Sequence, residues 1–91
     1  MANEKKSEVQ LLKEVEEARS LVKIGGFYAH YKHPGEKRYQ VIDVAIDEET
    51  ESVRVIYKSL QMGALWIRTI DNFTGEVEVG EQKVPRFKLI Q

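Results

Sequence analysis

Two adjacent glycines, Gly25 and Gly26, divide the 91-residue chain into two unlike patterns. Before them, apolar residues recur at helical spacing; after them, they come in short aromatic and β-branched runs broken by turn residues. Glycine adopts a left-handed backbone without steric cost, so the pair predicts a place where a helix stops and a strand begins, with a positive φ at one of the two. The next six residues, Phe27-Tyr28-Ala29-His30-Tyr31-Lys32, hold three aromatics, a histidine and a lysine. Any account of function has to explain that run.

Upstream, residues 1–6 are polar and are expected to be disordered. Ser7 offers an N-cap, and Gln10, three residues on, fits a capping box. Leu11, Val15, Ala18 and Val22 fall within an arc of about 60° at about 100° per residue, which predicts an amphipathic helix over 7–24. The stripe has two readings. It packs as a lid on the chain's own sheet, or its four-three-four spacing is a seam for a second copy. Isolated helices below about 12–15 residues are marginal, so a homo-oligomer through this helix needs further contact from the domain.

Downstream, Phe27–Lys32 reads as a strand and Pro34-Gly35 as the centre of a type II turn. Residues Tyr39–Ile46 carry apolar side chains on both sides, which predicts a central, strongly twisted strand covered twice. Asp47–Glu51 is a turn; Val53–Lys58 and Leu65–Ile70 alternate as half-buried strands. Asp71-Asn72-Phe73 suits a single helical turn, Val77 and Val79 a short edge strand, and Val84–Ile90 a final strand with Pro85 at its start or edge. The expected fold is mainly β. Residues 25–91 form a small antiparallel, partly open barrel of SH3-like layout, preceded by one amphipathic helix.

Composition excludes several classes. With 14 basic and 15 acidic residues, no overall field draws the chain to nucleic acid or to a membrane, so such binding needs a local patch. No apolar run approaches the roughly 20 residues that span a bilayer, and no signal-peptide core opens the chain. There are no cysteines, hence no disulfide and no thiolate metal site. A single cytoplasmic domain is the expectation.

Candidate chemistry is sparse. His30 and His33 are three apart, so on a strand they face opposite ways, and no other histidine completes a zinc site. The acidic turn Asp47–Glu51 lacks the glycine and ligand alternation of a calcium loop. No serine has a nucleophile-elbow context. No metal and no cofactor is expected. The best constellation is aromatic and basic. Trp66 and Arg68 share one strand face, and Tyr28, His30 and Lys32 share another. Brought together, they offer stacking surfaces and charge-assisted donors to a planar ligand, a peptide or an unpaired base. The plainer alternative makes Tyr28 and Trp66 core residues and pairs Arg68 with an acid such as Asp71 or Asp43.

In order along the chain stand Gly26-x-Tyr28-x-His30-Tyr31-Lys32, Tyr39-x-Val41, Glu49-Thr50-x-x-Val53, Tyr57-x-x-Leu60, Trp66-x-Arg68, Phe73 and Val84-Pro85-Arg86-Phe87. From Gly26 to Ile90 this resembles the bacterial domain of unknown function 1653. The resemblance implies a bacterial or phage origin and brings no activity, substrate or cofactor. Where members of that family often carry a histidine two residues before the Glu-Thr pair, this chain has Asp47, and its N-terminal helix is an addition to the family domain.

Three functions follow as expectations. The first is a non-enzymatic recognition module binding a small ligand, a peptide or nucleic acid through Tyr28, His30, Tyr31, Lys32, Trp66, Arg68 and Arg86. The second is a small enzyme or enzyme subunit with His30 as acid–base group and Arg68 or Arg86 holding an anion. The third is a scaffold that assembles through the N-terminal helix.

Overall fold

A computed structural model describes residues 5–91. Four of the six residues expected to be disordered therefore lie outside the described residues. Helix α1 (Glu8–Leu21) is followed by strands β1 (Phe27–His30), β2 (Tyr39–Ile46), β3 (Val53–Ser59) and β4 (Leu65–Thr69). A short helix α2 (Ile70–Thr74), the hairpin β5 (Glu76–Val79) and β6 (Gln82–Pro85), and strand β7 (Phe87–Leu89) complete the chain. The main sheet is antiparallel with order β4-β3-β2-β1-β7, and β5 and β6 pair only with each other. The last strand pairs with β1 and not with β4, so the sheet remains open. The fold is mainly β, as expected, and the sheet does not close into a barrel.

Helix α1 starts where its cap directs. The Ser7 hydroxyl accepts the Gln10 N–H at 3.1 Å, whereas the Gln10 amide turns forward to donate to Glu14 at 2.8 Å, so only half of the capping box forms. The apolar stripe faces the domain's own sheet. Ala18 and Val22 are buried, and Val15 packs against the same core cluster, which includes Val44, Val53 and Val55. The helix ends before the glycines, because Val22 turns extended at φ −129° and enters the core. Gly25 then takes φ +81° in a turn closed by the Gly26 N–H on the Lys23 carbonyl at 2.9 Å. The freed Lys23 N–H donates to the Tyr28 hydroxyl at 2.8 Å.

Three strand expectations change in the structure. Strand β1 ends at His30, and Tyr31 and Lys32 lie in the turn that follows. The predicted final strand is broken at Arg86, with Val84 and Pro85 in the hairpin and Phe87–Leu89 in the main sheet. Strand β2 is not covered twice. Its register shifts between Val41, opposite Tyr57, and Asp43, opposite Ile56, which leaves Ile42 as an inserted residue. The bulge reverses the alternation. Tyr39 and Val41 before it, and Val44 after it, therefore all face the same layer. The turn at Pro34-Gly35 forms as read, with Gly35 at φ +76° and the Glu36 N–H on the His33 carbonyl at 3.2 Å.

The inner face of the sheet is the core. An aromatic cluster of Tyr28, Tyr57, Phe73 and Phe87 continues into the valines beneath α1. Phe73 and Phe87 stack at 4.2 Å between ring centres and 7° between planes, joining α2 to β7. Gly26 is constrained by contact and not by backbone angle. A Cβ there would lie 3.0 Å from the Lys23 carbonyl oxygen and 3.0 Å from the Leu89 side chain. Gly26→Val should therefore destabilise the protein by about 1–3 kcal/mol through overpacking, measured by urea unfolding. Wild-type stability in this variant would contradict the tight junction.

Candidate functional site: a basic cluster on an aromatic bed

Arg68 is placed by its strand and held by three neighbours. On β4 it lies opposite Val55, whose side chain is fully buried, so it projects over the inner face and not into solvent. Its Nε donates to the Tyr57 hydroxyl at 3.0 Å, and its Nη1 donates to the Asn72 Oδ1. The guanidinium carbon sits 5.5 Å from the centre of the Phe87 ring. A planar cation over an aromatic face, tied at two of its nitrogens, is held in one orientation.

Asn72 joins a second cation to the first. Arg86, at the break between β6 and β7, donates from Nε to the Asn72 backbone carbonyl at 3.1 Å. The side chain of Asn72 thus fixes Arg68, and its main chain fixes Arg86. Asn72 is held in turn at the start of α2, where its N–H donates to the Thr69 hydroxyl at 3.2 Å. Neither arginine forms an ion pair with a carboxylate among the described residues. Asp43, considered above as a partner for Arg68, pairs with Arg19 at 3.1 Å.

His30 completes the group from β1. It stands opposite Phe87, with ring centres 5.1 Å apart and nearly perpendicular planes, and its ring centre is 6.4 Å from that of Tyr39. Its Nδ1 accepts the Lys32 N–H at 3.3 Å, so the neutral ring carries its proton on Nε2. Desolvation pushes its pKa below the ordinary 6.5, and the positive fields of Arg68, Lys32, Arg86 and His33 push it further in the same direction. At neutral pH His30 is an uncharged donor.

The remaining residues from the sequence analysis separate. Trp66 shares the inner side of β4 with Arg68, two residues away, and its side chain remains 45% exposed. Tyr28 is 6% exposed, with its hydroxyl used by Lys23, so it supports the cluster from within the core. Tyr31 lies tilted against His30 with ring centres 4.6 Å apart, and both line a groove. That groove, of about 370 Å³, runs among Tyr31, Pro34, Val79, Val84 and Ile90. Lys32 is exposed beyond the end of β1 and reaches the cluster through its field and its backbone N–H. Tyr57 and Asn72, which hold Arg68, were not singled out from sequence as site residues. Asn72 lies four residues after Arg68, but a spacing that crosses from a strand into a helix has no fixed geometry to read. His33 lies 3.6 Å from Glu36, and no group of three acidic or histidine side chains gathers as metal ligands among the described residues.

Residues 26–89 match the family model described as a protein of unknown function, DUF1653. The chain belongs to this family. The match includes β1, β4, α2 and β7, and so every residue of the basic cluster, while α1 lies outside it. No curated protein and no solved structure matches the chain.

The lowered pKa of His30 fixes a sign for stability. Between its folded value and 6.5 the unfolded chain binds more protons than the folded one, so folding weakens as pH falls through that window. Above the window the effect vanishes, and carboxylates act mainly nearer their ordinary values of about 4. In His30→Asn, whose amide oxygen replaces the Nδ1 acceptor, the slope just below pH 6.5 should flatten in urea titrations. An unchanged slope would assign it to another group.

Proposed function

We propose that this DUF1653 protein is a non-enzymatic recognition module that holds the anionic group of a ligand, phosphate or carboxylate, between Arg68, Arg86 and His30, with Trp66 against a planar part of the same ligand. The observation that carries this reading is that both guanidinia are orientated by Asn72 and have no carboxylate partner among the described residues. A buried or half-buried guanidinium without a counter-ion is costly, and a ligand anion is the natural relief. Trp66 lies two residues from Arg68 on the same side of β4 and is 45% exposed, so a ligand held at Arg68 can lay a planar base against the indole. Nucleotide units therefore fit better than a simple inorganic anion.

His30 favours binding over catalysis. A general base needs a free basic nitrogen, and here Nδ1 is engaged by Lys32 while Nε2 bears the proton. Its free N–H adds a donor to an anion site. A bacterial cytoplasm, where nucleotides and phosphorylated metabolites abound, is the setting in which we place this activity.

Trp66 is the sole tryptophan, so intrinsic fluorescence reports directly on the site. Nucleoside monophosphates should quench it saturably, and the matching nucleosides should bind more weakly. Arg68→Gln and Arg86→Gln should each weaken binding by roughly tenfold or more, the scale of one lost charge-assisted bond. Equal binding of nucleosides and monophosphates, or wild-type affinity in both variants, would contradict the proposal.

A further inference from the structure

The open sheet leaves two edges, and they are built differently. Strand β7 has three residues, carries Lys88 and follows Pro85, features that commonly blunt an edge. Strand β4 has five residues, Leu-Trp-Ile-Arg-Thr, pairs with β3 without a bulge, and contains no lysine or proline. Its Leu65 and Ile67 side chains are 61% and 60% exposed, and Leu60 and Met62 in the preceding turn are exposed beside them. Its one charge, Arg68, is drawn over Phe87 on the inner side.

The hydrogen-bond phase of β4 is fixed by the Ser59 N–H on the Ala64 carbonyl at 2.9 Å. Antiparallel ladders alternate, so Trp66 and Arg68 turn their backbone groups toward β3. Leu65, Ile67 and Thr69 therefore turn theirs outward. The Thr69 carbonyl starts α2, which leaves the N–H groups of all three residues and the carbonyls of Leu65 and Ile67 without partners in the sheet.

We infer that β4 is the seam of a two-fold symmetric dimer, in which it pairs antiparallel with β4 of a second copy, centred on Ile67. A second copy is the occupant because the strand is complementary to itself in this register. Ile67 faces the partner's Ile67 as a hydrogen-bonded pair, and the Thr69 N–H meets the partner's Leu65 carbonyl. On the inner side Trp66 lies across from the partner's Arg68, whose guanidinium is drawn away over Phe87, so the indole meets only the aliphatic stem of that side chain. A shift that centred the seam on Arg68 would set like charges directly opposite each other, so the sequence selects against it. On the outer side, Leu65 and Ile67 of both copies form one apolar strip across the seam. Pairing joins the two five-stranded sheets into one continuous sheet and sets both basic clusters on the same face. This inference stands on the edge alone and does not require the ligand proposal.

Sedimentation equilibrium over a wide dilution series tests it on the full chain. The wild type should show twice the monomer mass at high concentration, and Ile67→Glu, which opposes two carboxylates at the two-fold axis, should remain monomeric with the thermal midpoint of the wild type diluted to monomer. The chain lacks cysteine, so Ile67→Cys and Leu65→Cys each introduce a single thiol. At a hydrogen-bonded pair the α-carbons lie about 5.5 Å apart, within disulfide range, whereas Leu65 stands four residues out of step with its own copy. Oxidised glutathione should cross-link Ile67→Cys and leave Leu65→Cys without a covalent link. A monomeric wild type at every concentration, a dimer that survives Ile67→Glu, or cross-linking favoured at Leu65 would overturn the inference. Should Ile67→Glu fail to fold, the wild-type mass and the cysteine pair still decide.

Discussion

The stack of Phe73 on Phe87 is the contact on which the remaining structure depends. A five-stranded sheet that does not close has no reason of its own to keep its C-terminal strand and the segment after β4 together. The two rings, 4.2 Å apart and nearly parallel, fasten α2 to β7 across the inner face. Tyr28 from β1 and Tyr57 from β3 pack edgewise or tilted against them, so four separate strand or helix segments share one aromatic centre. The same stack prepares the chemistry above it. Phe87 carries the Arg68 guanidinium, and Phe73 fixes its neighbour Asn72 where both arginines reach it. Core and candidate site are thus one construction, in which apolar packing sets the orientation of charged groups.

Local rules read well from the sequence, and long-range ones less so. The Ser7 cap, the stripe of Val15, Ala18 and Val22, and the turn at Pro34-Gly35 each depend on residues a few positions apart, and each forms. The glycine pair marks a real junction, but its role depends on Val22 finding a place in the core, which ends the helix early. Strand β2 is the clearest case of what a pattern conceals. Apolar residues on both sides suggest cover on both faces, whereas one inserted residue at Ile42 turns Val44 to the same face as Tyr39 and Val41. A bulge leaves no mark in a binary pattern other than apparent contradiction.

For the site, the two-residue period places Trp66 and Arg68 on one side, and the structure sets His30 and Arg68 against the same Phe87 ring. Tyr28 went to the core because its hydroxyl had a local donor to satisfy. Lys32 left the shared face because β1 ends before it. Arg86 joined through the break that divides the expected final strand, and that break could not be read from sequence. Residues that bind their own neighbours are legible; residues such as Asn72, which serve two distant partners at once, become visible only when the chain is folded.

Arg68, Arg86 and His30 are proposed to act together on one anion. Side-chain nitrogen–proton spectra during titration with a nucleoside monophosphate at constant ionic strength test this most directly. The Nε–H signals of Arg68 and Arg86 and the Nε2–H signal of His30 should move along one saturable curve. Those of Arg19 and Arg54, which are paired with Asp43 and Asp47, should remain in place. Equal, unsaturated drift of all four arginines would contradict the account.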